Sequence, residues 1–292
     1  MLVVVFIIFV LSGMLNSALS KKFQQSFSAD FTHFISYNFV NAAFACVYFF
    51  IASGFSFKAN FTTFLFAVLF ALVVIASVVL GILSLSVTSI AMRGIVTTAG
   101  STVLPSLFGI LVLNEPSSLI LYLSLILLVV ASLIPNLPLK KSNSGFAPLI
   151  FSLLFLVSGL AVIVEKLYTL TPGVVSSATF FLLTNVVTFL ICGTVLLIKF
   201  LIHPHSRKAI LKPFSKKQYI NIALQTATSN LSSLMTLFLL SRIDVSVFAI
   251  ISSSLGILSG AFLSKFVFKE PMLAKNWVAV ILVLVSIFLN VQ

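Results

Sequence analysis

Residues 61–83 pass 23 consecutive positions without a charged side chain. A helix needs about 20 mainly apolar residues to cross the hydrocarbon of a bilayer. Comparable segments recur at 2–20, 31–51, 95–113, 118–136, 147–165, 175–201, 219–240, 245–264 and 273–291. Runs such as Leu121–Leu133 do not alternate apolar and polar residues, as barrel strands of about 10 residues would. Composition agrees: 60% of the residues are hydrophobic and 8% charged, against roughly 25% charged in soluble domains. The expectation is an all-α integral membrane protein with ten transmembrane helices, each span satisfying its own backbone hydrogen bonds.

The connections leave no room for a soluble domain; the longest, Leu201 to Gln218, is rich in Lys, Arg, His and Pro. A net charge of +12 would suit nucleic acid, but the basic residues lie in loops, where membrane orientation explains them better. With ten spans the termini share a face. Of the 17 basic residues, all but Lys58, Lys166 and Arg242 fall on the opposite face. The positive-inside rule then puts those loops in the cytoplasm and both termini outside. Cys46 and Cys192 lie within spans and read as packing residues rather than a disulfide. The first twenty residues lack the basic start of a signal peptide and read as a span.

The chain also repeats itself. "PSLFGILVLNEPSSLILYLSLILLVVASL" from Pro105 aligns with "GAFLSKFVFKEPMLAKNWVAVILVLVSIF" from Gly260, an offset of 155. Glu115–Pro116 falls on Glu270–Pro271, Thr97–Thr98 on Ser252–Ser253, and Ser101 on Gly256. "LSGMLNSALSKK" from Leu11 parallels "VSGLAVIVEKLY" from Val157, and an offset of 147 brings Asn38 onto Asn185. Two five-helix halves result, 1–141 and 142–292. Because five is odd, the second half enters from the opposite face and the repeats are inverted, an arrangement that puts a solute site near the midplane. In each Glu-Pro corner the proline suits the first turn of the following helix, and the carboxylate suits that helix's positive N-terminus. Glu115, Pro116, Glu270 and Pro271 are therefore expected to be structural corners.

Ten spans, two five-helix halves and an apolar helix ending in a glutamate corner in each half resemble the drug/metabolite transporter superfamily, specifically its bacterial EamA-type members. "LVLNEP" and "FVFKEP" look like that family's Leu-Gly-Glu-type ending, with Asn114 and Lys269 in the usual glycine place. "SKK" after the first helix and Tyr37–Asn38 are also similar. The resemblance implies transport of a small organic solute such as an amino acid, metabolite or drug, often outward. Members commonly have cytoplasmic termini, whereas the charge pattern here points them outward.

Polar groups inside a membrane tend to face other helices or a wet cavity. The symmetry-related ones are the candidate substrate contacts: Asn38 and Asn185, with Tyr37 and Asn41 nearby; Thr97, Thr98, Ser252 and Ser253; and Gln225 on the eighth helix, the most polar one. Hydroxyls can also satisfy themselves on their own helix, and Gly256 and Gly260 form a GxxxG spacing that suits helix packing. Pro105 is expected to kink its helix. Glu165 is the deepest of the five acids and the candidate for proton coupling. His33, His203 and His205 lack the three or four convergent ligands of a zinc site, so no metal or other cofactor is expected. No nucleophile–base pair or phosphate loop suggests an enzyme.

The expected function is alternating-access transport of a neutral, zwitterionic or moderately apolar solute, with either direction open. A non-transporting sensor or assembly subunit would carry a soluble domain, and a flippase of a lipid-linked intermediate would carry cations in its cavity. The partners are the solute and the lipid bilayer. A monomer suffices for a duplicated chain, and a homodimer is compatible with it.

Overall fold

The computed structural model describes residues 2–24, 31–55, 58–87, 90–134, 147–202, 207, 214–267, 269 and 274–291. Among these the chain forms ten α-helices and no strand. They are α1 Leu2–Gln24, α2 Phe31–Ala52, α3 Phe61–Val87, α4 Ile90–Leu111, α5 Leu119–Leu133, α6 Ala147–Leu170, α7 Ser177–Ile202, α8 Lys216–Leu240, α9 Val245–Phe262 and α10 Ala274–Val291. A single π-helical turn, Leu263–Val267, prolongs α9.

Five of these helices are long and apolar enough to cross a membrane: α2, α3, α6, α7, and α9 with its π turn. α1, α4, α5 and α10 contain shorter apolar stretches. α8 belongs to neither group. It forms over its whole expected span, but Lys216, Lys217, Asn221, Gln225 and Asn230 lower its hydropathy.

The distribution of side chains is inverted relative to a soluble helix. α10 buries the small residues Ala279 and Ser286 with Val283, and exposes Trp277, Ile281, Leu284 and Phe288. α3 likewise exposes Leu65, Leu69 and Leu72 along one stripe. In water a stripe at that spacing would carry polar residues.

The chain divides into two compact units. One comprises Met1–Leu72 with Thr171–Leu237, the other Val73–Leu170 with Phe238–Gln292. In the first, Phe39 of α2 stacks on Phe189 of α7 with ring centroids 4.3 Å apart, and Phe49 stacks on Phe181 at 5.2 Å. Moving up α2 thus means moving back along α7, so the pair is antiparallel. Aromatic stacking adds about 0.5–1.5 kcal/mol per pair beyond burial. α1 meets α8 through the hydroxyls of Ser12 and Ser232, 2.7 Å apart. At one end of the α2–α7 pair, Asn60 donates to the Gly173 carbonyl and Val175 N to Thr63 Oγ1. At the other end, Lys199 Nζ donates to Thr32 Oγ1 at 3.1 Å.

In the second unit α5 and α10 are also antiparallel. Ser286 Oγ donates to the Ser124 carbonyl at 3.0 Å, and further along Leu128 and Ala131 form a core with Ala279 and Val283. α4 packs on α6 at Gly100 and Gly159, where the backbones come so close that a Cβ on Gly100 would collide with the Phe155 carbonyl. A Cβ on Gly159 would meet the Gly100 carbonyl oxygen at 2.7 Å. This contact requires glycine on both helices. Gly256 and Gly260, read from their spacing as packing positions, face open space instead: among the described residues no atom lies within 4 Å of where a Cβ on either would stand.

Candidate functional site

The corner after α4 is built differently from the sequence expectation. Ser118, not Pro116, opens α5: its side chain accepts from Leu121 N at 3.2 Å, and the helix starts at Leu119. Pro116 is exposed outside the first turn. The Glu115 carboxylate serves another helix. It accepts from Val245 N at 2.7 Å, Ser246 N at 3.0 Å and Ser246 Oγ at 2.6 Å, and so caps α9. Asp244 occupies the N-cap position of α9 but its side chain makes no cap bond. Gly109 leaves room for this carboxylate, since a Cβ there would collide with it. The electrostatic principle holds, with the negative group at a helix N-terminus; the recipient is α9 rather than α5.

Lys166 completes the corner. Its Nζ donates to the carbonyls of Leu240 and Ile243, both at 2.9 Å. A buried cation thus sits on the negative end of α8 and a buried anion on the positive end of α9, with the four-residue turn 241–244 between them. Leu113 N reaches back to the Phe108 carbonyl, and Asn114 then adopts φ +53°. Lys269 adopts the same φ, +53°, just after the π turn that prolongs α9. Glycine is the residue that enters this region without strain; here Asn114 and Lys269 occupy it. Glu270 and Pro271 lie outside the described residues.

Thr98, Ser252 and Ser253 come together in the second unit. With Ser101, Gly256 and Ile257 they line a cavity of ≈ 380 Å³ between α4 and α9. A second cavity, ≈ 320 Å³, lies against Val74, Ser77, Val78, Thr97, Thr98, Ser101, Ser158 and Ala161, from α3, α4 and α6. The two cavities share Thr98 and Ser101. Among the described residues, no charged one lines either cavity. Ser77 and Ser158 are lining residues that the sequence did not single out.

The protons of most of these hydroxyls are already engaged. Thr97 donates to the Arg93 carbonyl, Ser101 and Thr102 to that of Thr98, Ser158 to that of Leu154, and Ser252 to that of Ala249. Thr102 and Ser253 are hydroxyl to hydroxyl at 2.6 Å, with either oxygen able to donate. Back-bonding of this kind leaves the oxygens of Ser101, Ser158 and Ser252 able to accept as well. Donating to a ligand would first cost a bond worth about 1 kcal/mol, whereas accepting costs none. Pro105 sits inside α4, one turn beyond Ser101, and has no N–H to give the Ser101 carbonyl.

The asparagines lie in the first unit. Asn38 Nδ2 donates to the Phe34 carbonyl and Asn185 Nδ2 to that of Phe181, both at 2.8 Å. The two amides make the same bond to their own helices. Asn41 Oδ1 accepts from Thr226 of α8. Tyr37 lies beside Phe34 on α2, with ring centroids 6.4 Å apart, and Gln225 is half-buried on α8. Asn230 is buried, and its Nδ2 has no hydrogen-bond partner among the described residues. Glu165 is buried next to Lys166 on α6 and lies one turn beyond Ala161. α6 continues to Leu170, so Glu165 is farther from the helix end than its sequence setting suggested. Among the described residues no cluster of three metal-binding side chains occurs.

No family model and no curated protein matches the chain. It is similar to a solved crystal structure at 13% sequence identity and a TM-score of 0.71, with 97% of this chain and 98% of that chain covered. At that identity the likeness speaks for the fold, and it extends over nearly the full length of both chains.

Proposed function

We propose that the chain is a membrane transporter of a small organic solute, working by alternating access between two inverted five-helix repeats, 1–141 and 142–292. The observation that carries this reading is the lining of the α4–α9 cavity. Thr98 and Ser253, and likewise Ser101 and Gly256, are counterparts at the repeat offset of 155. An inverted repeat has its solute site where equivalent positions of the two halves meet.

Packing supports the duplication. α2 lies on α7, α4 on α9 and α5 on α10, so three of the five helices of each half meet their own counterparts. The residue pairs exchange under the same offset: Ser124 corresponds to Ala279 and Ala131 to Ser286. The large apolar residues exposed on α3 and α10 support a lipid environment. Corner Glu115, the end of α6 and the α8–α9 turn converge, which ten alternating spans require of these three sites. In this reading the bilayer is that of the cell, with the basic loops cytoplasmic and both termini outside.

Gly256→Leu tests the site. The position has open space around it, so leucine fills the cavity without displacing a neighbour. Intracellular and extracellular metabolites are compared in cells making wild type, Gly256→Leu or neither, at matched membrane levels. A solute class that redistributes with wild type and not with Gly256→Leu is the expected result. Equal redistribution by both proteins would place the path elsewhere, and no redistribution by either would count against transport.

A further inference from the structure

We propose that the solute held at the α4–α9 cavity is a hydrogen-bond donor, an amine or ammonium compound bearing N–H groups, and that carboxylates are rejected. The proposal deepens the transport reading and rests on it. Its basis is the direction of the hydrogen bonds around the cavities. Ser101, Ser158 and Ser252 have given their protons to backbone carbonyls. What these groups offer a ligand is oxygen lone pairs. Pro105 withholds a backbone N–H from the carbonyl of Ser101, a residue that lines both cavities.

Among the described residues, no lysine, arginine or histidine lines either cavity. A carboxylate entering there would lose its water and find few donors to replace it, which burial penalises heavily. An N–H-bearing solute would find acceptors already oriented by their helix bonds, with little further ordering to do. Because the two cavities share Thr98 and Ser101, the amino end and an apolar remainder of one solute can occupy neighbouring spaces.

Three probes of similar size separate the possibilities: phenethylamine, its N,N,N-trimethyl derivative, which keeps the charge but has no N–H, and 3-phenylpropionate. Each is added to the purified full-length protein and thermal unfolding is followed. Any stabilising probe is then tested for counterflow in proteoliposomes. Phenethylamine is expected to raise Tm by roughly 2–4 °C near ten times its Kd, and the other two to leave it unchanged. Ser101→Ala/Ser252→Ala removes two acceptors and is expected to weaken phenethylamine about tenfold. The wild-type and variant Tm without ligand show whether the variant is folded. Equal stabilisation by phenethylamine and its trimethyl derivative would overturn the donor requirement. Stabilisation by 3-phenylpropionate, or by no probe, would overturn the solute class. Stabilisation by phenethylamine without counterflow would leave the class standing and overturn transport.

Discussion

The α8–α9 turn is held by two single side chains, and that makes it sensitive to single atoms. Glu115→Gln keeps the size of the side chain but removes the charge and one acceptor oxygen from a site that receives three hydrogen bonds. Bonds to a charged group contribute about 1.5–3 kcal/mol, so Glu115→Gln is expected to destabilise by about that amount. Lys166→Met preserves the chain's length but leaves the Leu240 and Ile243 carbonyls without their donor, costing about 1–3 kcal/mol. Thermal unfolding in detergent measures both. In the double variant the losses should not add, because each charge holds one end of the same turn. Simple additivity would show that the two caps act independently. The sequence singled out Glu115 but assigned it to the wrong helix. The nearest helix start in the chain is α5, and nothing in local order shows that α9, 130 positions away, is the one brought against it. Asn114 and Lys269 were legible as departures from glycine, yet only the backbone shows both at φ +53°.

At the scale of helices, the apolar runs located all ten described α-helices, because a run of about 20 residues leaves few alternatives to a helix. Close packing was less legible. The GxxxG spacing pointed to Gly256 and Gly260, whereas the tight crossing is between Gly100 and Gly159, on different helices. Spacing within one helix shows where a close approach is possible; only the partner's position shows where it occurs. Gly159→Leu is therefore expected to force α6 from α4 and cost about 1–3 kcal/mol or more, read as a lower Tm. Gly260→Leu, at an open position, is expected to change Tm by less than about a degree, given that surface changes stay within about ±0.5 kcal/mol. Similar losses from both would mean that the α4–α6 crossing is not the tighter one. The candidate hydroxyls were legible as symmetric pairs. Ser77 and Ser158 were not, since their role depends on α3 and α6 meeting α4, and the hydroxyl protons are engaged only once the helices are formed.

For the whole molecule, the partition into units differs from the division of the sequence into halves. α2 with α7 belongs to one unit, while α4 with α9 and α5 with α10 belong to the other. Each such pair takes one helix from either side of residues 135–146. Residues 1–141 and 142–292, made as separate chains, are therefore expected to be degraded alone and to copurify when made together. Stable accumulation of either half by itself would show that the pairs between halves are dispensable. The same pairing sets an order in time. Phe39 and Phe189 are 150 positions apart, so at a synthesis rate of about 5–20 residues per second α2 precedes its stacking partner by roughly 8–30 s. α5 and α10 are separated by a similar stretch of chain. α4 can close on α6 once residue 170 is made, whereas α2 and α5 must wait without their counterparts for α7 and α10, so tertiary structure closes stepwise through the second half of translation.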